Sequence, residues 1–517
     1  MTDVRIISAP LGGSRLSQLV QSGRAPADWS VAAPCSASEW RERALQRARE
    51  RQWDELWIAL DPAFAATGMA AERLRRVRRE GGVVVTTGQQ PGLFGGPVYT
   101  WSKAMGALAM ADAIERETGV ATAAVFWAAT DDADFAEASY TIVARTGGAE
   151  LLRSDTVPPP GTPMSLAPLG DVSPLLARLR GAAGSAADPR ALRSVDASYG
   201  DASGTVGSAY VQLLRALLAP LGVPVLDASH AAVRATSDVT LRAALRHANA
   251  IEHGLADRTR DIHSVGCEPQ VEDVGGLALV FAREGATKRR LSLAEAPEAA
   301  REDGRWLTPN VLLRPIVEQA ILPTIAYLGG PGELAYFGQV SAVADALGVA
   351  RPLALPRWSC TLIEPHVASL LERFNVEPDA LERPHALEGR VARDALSERS
   401  GTALEDLRAA VRALPDALAS EAEPLGLGAA VQGSMQSLQH RVDRLERRLV
   451  AGVKRREQEL LCDVATLRAA LYPRGTRQER ALNLIPLLSR HGLDLLPEMQ
   501  DAAMAHAAAL IGAGVSS

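Results

Sequence analysis

The chain has 517 residues, 47% of them hydrophobic, and a formal net charge of −6. At roughly 150 residues per domain that length allows two to four structural units, and the mild acidity leaves no overall basic field to attract nucleic acid or an anionic membrane. The four cysteines (Cys35, Cys267, Cys360 and Cys462) are scattered, with no CxxC pair, which argues against a disulfide framework and a structural zinc. The opening stretch has no apolar core of signal-peptide length, and no apolar run would span a bilayer. A soluble cytoplasmic protein is the default expectation.

Residues 38–80 read as charged, Arg-rich helices. "GVVVTTG" then reads as a short buried strand, because β-branched residues run without alternation between glycines. Pro97 suits a first helical turn, and Val98, Trp101, Met105 and Leu108 follow at helical spacing until Gly119. "ATAAVFWAAT" (121–130) is a second buried strand. Strand, helix, strand in so short a span is a βαβ unit with a parallel pair. Residues 155–208, rich in Pro, Gly, Ser and Ala, look like an inserted or mobile excursion rather than core. A third strand ends at Asp227, and 231–310 mixes a helix, a hairpin near 275–284 and a polar loop. "ILPTIAYLGGPGELAYFGQV" (321–340) is a further strand, glycine turn and helix. Beyond Pro365 the pattern changes. Leu404, Leu407, Val411 and Leu414, then Met435, Leu438, Val442, Leu445 and Leu449, keep a 3–4 spacing. That predicts a long antiparallel helical pair over about 385–471, either packed within its own domain or serving as a dimerisation arm.

Three corners could carry chemistry. In parallel sheets ligands sit beyond the carboxyl ends of the strands, where the loops 88–97 and 131–135 emerge. In the first loop, Gly88, Gly92, Gly95 and Gly96 permit close backbone approach. The helix start at Pro97 favours an anion, and Gln89 and Gln90 suit a polar ligand. Lys103 lies about two turns into that helix. Neither a P-loop nor a dinucleotide fingerprint is present, and a plain strand-to-helix turn is the alternative. In the second corner, Asp131, Asp132 and Asp134 could bind an amine or take a proton, or could simply cap a helix. The third corner has Gly329, Gly330 and Gly332 with Glu333 and Tyr336 behind them. Arg314 is a candidate carboxylate clamp. The histidines form no metal-binding array, so no metal site is expected.

Taken together, "GQQPGLFGGPVYTWSKA", "VFWAATDDADF", "RPIVEQAILPTIAYLGGPGELAYFGQV", "PRWSCTLIEP" and "YPRGTRQERALNLIPLL" resemble, in order, the bacillithiol biosynthesis cysteine-adding enzyme family, BshC. The resemblance implies an α/β fold. Residues 1–365 would form a Rossmann-like parallel sheet core with N-terminal helices and insertions near 150–215 and 250–310. Residues 366–475 would form an α-helical coiled coil that makes a homodimer, and 476–517 C-terminal helices packing back on the core. It implies a ligase that joins the carboxyl of L-cysteine to the amine of glucosaminyl-malate, with ATP or another nucleotide such as ADP as the expected cofactor. Asp131, Asp132 and Asp134 would be the catalytic carboxylates. Gly88, Gln89, Gln90, Gly92, Gly96, Lys103, Arg314, Gly329, Gly330, Glu333 and Tyr336 would bind substrate. Arg474, Gln478, Glu479, Arg480 and Asn483, in a motif that also has Pro473 and Gly475, would help bind the nucleotide. The family's acidic motif usually reads Glu-Asp-His-Asp, and this chain departs from it with Asp131 and Ala133. That departure leaves open a nucleotidyltransferase-like enzyme or amide ligase with another acceptor, or a non-catalytic scaffold that keeps the coil.

Overall fold

The computed structural model describes residues 2–272, 274–383 and 385–512. Its strands in chain order are β1 (Arg5–Ser8), β2 (Val83–Gln89), β3 (Thr122–Ala128), β4 (Tyr140–Arg145), β5 (Gly148–Arg153), β6 (Val225–Asp227), β7 (Leu277–Glu284), β8 (Thr287–Ser292), β9 (Leu307–Pro309), β10 (Thr324–Gly329), β11 (Ala354–Pro356) and β12 (Cys360–Ile363). The chain divides into two compact units. The first joins Leu151–Leu362 to the chain up to Val143 and the chain from Glu479 onward. The second comprises Ala144–Glu150 and Ile363–Gln478.

The first unit is built on a five-stranded sheet in the order β11-β10-β2-β3-β6, parallel throughout. β2 and β3 are in unbroken register from Val83↔Thr122 to Gln89↔Ala128. Both are covered on both faces, which is why they read as continuous apolar runs rather than alternating ones. Val83, Val84, Val85, Val125 and Phe126 are fully buried, each worth about 1.5–3 kcal/mol of burial. The crossover helix Val98–Thr118 is buried nearly all round, because the helix Leu495–Gly512 packs against it. On another side of this helix Gly106 packs beside Trp358, where an added Cβ would stand 3.4 Å from its side chain. A smaller antiparallel sheet, β8-β7-β9, holds Leu279 and Val280 in one core cluster with Leu241, Leu313 and Phe337.

One expectation about 155–208 is corrected. The segment forms the helices Ser173–Ala183 and Arg190–Tyr199 and leads into Val206–Leu218. Met164, Leu169, Leu179, Val195 and Tyr199 are buried. Two of its seven prolines, Pro174 and Pro189, stand at helix beginnings, where a missing N–H costs nothing. Proline content therefore does not keep this segment out of the core.

In the second unit, Glu398–Ala422 and Gly428–Arg456 form a helical hairpin. Arg408 pairs with Asp443 (3.6 Å) and Glu446, which fixes an antiparallel register. The predicted leucine stripe is divided. Leu404, Val411 and Val442 are buried, whereas Leu407, Leu438, Leu445 and Leu449 remain exposed. A separate cluster of Ile363, Val367, Leu371, Val464, Leu467 and Leu471 forms this unit's core.

Candidate active site

A cavity of about 610 Å³ lies at the carboxyl ends of β2, β3 and β10, wholly within the first unit. Its size suits one or two small polar molecules. Gly88, Gln89 and Gln90 line it, as do Lys103, Asp131, Asp132, Ala133, Arg314, Gly330, Glu333 and Tyr336. The glycine corner, the acidic corner and the second glycine corner therefore share one pocket.

Lys103 is only 3% exposed, and it reaches back to the loop from about one and a half turns into the helix. Its ammonium donates to the Gly88 carbonyl at 2.7 Å and to Gln89 Oε1 at 3.0 Å, and pairs with Glu333 at 2.6 Å. Glu333 accepts from the Gly330 N–H (2.7 Å) and from the Tyr327 hydroxyl. Burial pushes the Glu333 carboxyl up, but the Lys103 ammonium and these donors outweigh it and hold it below the ordinary carboxylate value. Burial draws Lys103 below its ordinary value, and Glu333 recovers part of that. Arg314 packs over the Tyr327 ring at 4.9 Å, pairs with Glu318 at 2.9 Å and donates to Tyr327 (3.1 Å) and Tyr336 (3.4 Å). Two facing acid–base pairs thus stiffen the floor below the cavity.

Asp131 is 9% exposed and faces the cavity. Burial raises its carboxyl above the ordinary range, and the nearby Lys288 ammonium offsets part of that. Asp132 Oδ1 accepts from the Ala133 and Asp134 N–H groups at 2.6 and 3.4 Å. Asp134 does not line the cavity; its carboxyl caps the short helix Phe135–Ala138 through the Glu137 N–H.

Several expected ligand contacts are used internally instead. Gly92 and Gly96 make a tight turn away from the cavity, where a Cβ on Gly92 would stand 2.7 Å from Gly96 Cα. The helix start after Pro97 is not an open anion site, because the Val98 N–H donates to the Leu482 carbonyl at 2.9 Å. Gly329 packs against Glu333 and gives its carbonyl to the Arg357 N–H. The Asn483 amide is fully buried and donates to the carbonyls of Leu93, Phe94 and Gly96 and to Thr141 Oγ1. Glu479, 4% exposed, is held bidentate by Arg357 at 2.9 Å. In the second unit, Gln478 donates to the Ala470 carbonyl at 2.9 Å, and exposed Arg474 takes a left-handed φ of 55°. Of the five expected nucleotide contacts, only Arg480 lines the cavity. Glu479, Asn483 and Gln478 are engaged by protein, so no reaction step is assigned to a nucleotide at that motif.

Other cavity residues were not foreseen. Lys288 and Arg290 come from β8, Phe281 from β7, Asn310 follows β9, and Tyr99 and Arg357 stand behind Lys103. The basic run "TKRR" is the only available signal, and nothing in it says that it meets residue 131. Tyr99 accepts from Gln89 Nε2 (3.1 Å) and donates to Glu137 (3.2 Å), which Gln90 also reaches. Trp127 lines the cavity, and its buried indole N–H has no protein partner among the described residues. No group of His, Cys, Asp and Glu suited to a metal occurs among the described residues.

Residues 32–358 match the family model for the bacillithiol biosynthesis BshC N-terminal Rossmann-like domain, and residues 360–509 that for the BshC C-terminal coiled-coil domain. The chain belongs to the BshC family. Among its relatives, "Putative cysteine ligase BshC" of Solibacter usitatus (strain Ellin6076) is 30% identical over 464 residues, covering 86% of each chain. The protein of the same name from Koribacter versatilis (strain Ellin345) is 31% identical over 466 residues, again 86% of each. That of Salinibacter ruber (strain DSM 13855 / M31) is 26% identical over 517 residues, 92% of each. The Rossmann-like match spans every cavity-lining residue except Arg480, so the pocket lies almost wholly within the part of this chain that the family model describes.

Proposed function

We propose that this BshC-family chain joins the carboxyl of L-cysteine to the amine of glucosaminyl-malate, the amide-forming step of bacillithiol synthesis. The observation that supports it most is the convergence of Asp131 with Lys288 and Arg290 in one cavity, over a floor stiffened by the Lys103–Glu333 and Arg314–Glu318 pairs. A malyl group brings carboxylates, which cations suit. An incoming ammonium must lose a proton before it can attack, which a carboxylate suits. The relatives' names fit the same reading.

Amide formation from a free carboxylate is uphill in water, so the reading includes a nucleoside triphosphate that activates the acyl group as a phosphate or adenylate. The protein's own contribution is then to hold two small substrates in contact, neutralise the malyl charge and accept the amine proton on Asp131. The exposed leucines Leu407, Leu438, Leu445 and Leu449 support a homodimer through the helical hairpin. The same reading places the reaction in the cytoplasm, where nucleoside triphosphate is at hand. No helix among the described residues is long and apolar enough to cross a membrane.

Incubating the purified protein with ¹³C-cysteine, ATP and glucosaminyl-malate should give a labelled cysteinyl conjugate by mass spectrometry. Nucleotide turnover without that conjugate would reject the assignment. A second reading, an amide ligase with another amine acceptor, is favoured by one observation. Ala133 lines the cavity at the position where the family motif usually has histidine. A panel of amino sugars in the same assay separates the two.

A further inference from the structure

The hairpin β7–β8 reaches from the antiparallel sheet to the acidic corner and is pinned at both ends of its contact. The Lys288 N–H donates to the Gly161 carbonyl at 2.8 Å. Gly161 sits at φ +80°, and a Cβ there would come within 2.9 Å of the Lys288 carbonyl, so the approach needs glycine. From this anchor the Lys288 side chain crosses the Phe281 ring, with Nζ 4.6 Å from its centroid, and donates to the Asp131 backbone carbonyl. An ammonium has three donors and no preferred plane, so one contact leaves it able to face the Asp131 carboxyl as well. The charged groups acting on that carboxyl are Lys288 from β8, Asp132 beside it and Arg314 from across the cavity. Asp132 repels, and the Arg314 guanidinium is already paired with Glu318. Lys288 is the one of these cations that touches residue 131, through its backbone carbonyl.

We propose that Lys288 is a positioning residue: it clamps the acidic corner and keeps the Asp131 carboxylate in the cavity as proton acceptor for the attacking amine. This rests on the amide-ligase reading. In that step one proton passes from the substrate ammonium to Asp131. The freed amine attacks the activated acyl carbon, the C–N bond forms, and the acyl–oxygen bond to the phosphate breaks. The phosphate leaves with the electron pair and takes up the second proton, which the nitrogen sheds as it becomes an amide. Without a facing cation the buried carboxyl holds its own proton more tightly and cannot take another.

The test compares K288M and K288R with wild type. In K288M the acid limb of the kcat/KM profile should move up by about 1–3 pH units, and K288R should restore most of it. A uniform fall in rate with the limb unmoved would show a merely structural role and overturn the proposal. An independent arm titrates ¹³C-aspartate-labelled protein by NMR, with D131N to assign the Asp131 resonance. An upward move of its titration in K288M supports the proposal even where the wild type makes no cysteinyl conjugate, in which case only the substrate assignment falls. An Asp131 titration identical in folded K288M and wild type overturns the proposal whatever the substrate.

Discussion

Two polar corners of the first unit look alike in sequence and differ in what surrounds them. Around Asp131 and Asp132, carboxylates open onto the cavity, and burial works against the charge of Asp131. Around Glu479 and Asn483, a carboxylate and an amide are closed off: Glu479 meets both terminal Arg357 nitrogens, and Asn483 serves three loop carbonyls and a hydroxyl. A polar group whose hydrogen-bonding capacity is already met by protein stabilises the fold. One left facing a cavity at an energetic cost is available to a ligand.

That contrast can be broken by mutation. At the open corner, Asp131→Asn should lower kcat about 10²–10⁴-fold with an unchanged far-UV spectrum; a loss of less than tenfold would remove Asp131 from the chemistry. At the closed corner, Glu479→Ala leaves the Arg357 charge buried without its partner, and urea denaturation should show a loss of about 3–5 kcal/mol. Replacing the pair together, Arg357→Met with Glu479→Leu, should recover much of that stability. A single variant as stable as wild type would mean water takes the place of the carboxylate. Asn483→Ala should cost about 1–3 kcal/mol, while activity per folded molecule stays within a few-fold. A large specific-activity loss at full stability would place Asn483 in the site after all.

The smallest effect concerns pH. The folded pKa of Asp131 is raised, so the native state binds this proton more tightly than the unfolded chain. Its stabilisation is complete below the ordinary carboxylate value and is lost as pH rises through the folded pKa. Asp131→Asn lacks that loss. The variant should therefore gain on the wild type as pH climbs from about 4, by about 1.4 kcal/mol for each pH unit that separates the folded pKa from the unfolded one. Melting curves across that range check it, and a gap that narrows with rising pH would reverse the sign.

The core was legible because β-branched runs ended by glycine seldom form anything except a buried strand: β2, β3 and β10 lie where Val83–Val85, "AAVF" and "TIAYL" indicate. The loops leaving those strands could be placed on one edge for the same reason. Glycine, however, reports a tight place without saying what occupies it. Gly88 serves the cavity, whereas Gly92 and Gly96 serve each other and Asn483. Lys288 was invisible because its meeting with Asp131 spans 157 residues and depends on how a hairpin from another sheet leans. In the segment 155–208, composition suggests mobility, while the spacing of Leu175, Leu176 and Leu179 carries the stronger signal of a packed helix.

The glycine loop after β2 takes its restraint from a side chain far along the polypeptide: Asn483 lies 390 positions beyond Leu93. A ribosome adding about 5–20 residues per second would need roughly 20–80 s to bridge that gap. Through that interval the growing chain carries a sheet edge whose corner has not yet been tied. The pocket therefore matures late in translation, and a product released before residue 483 would lack that tie.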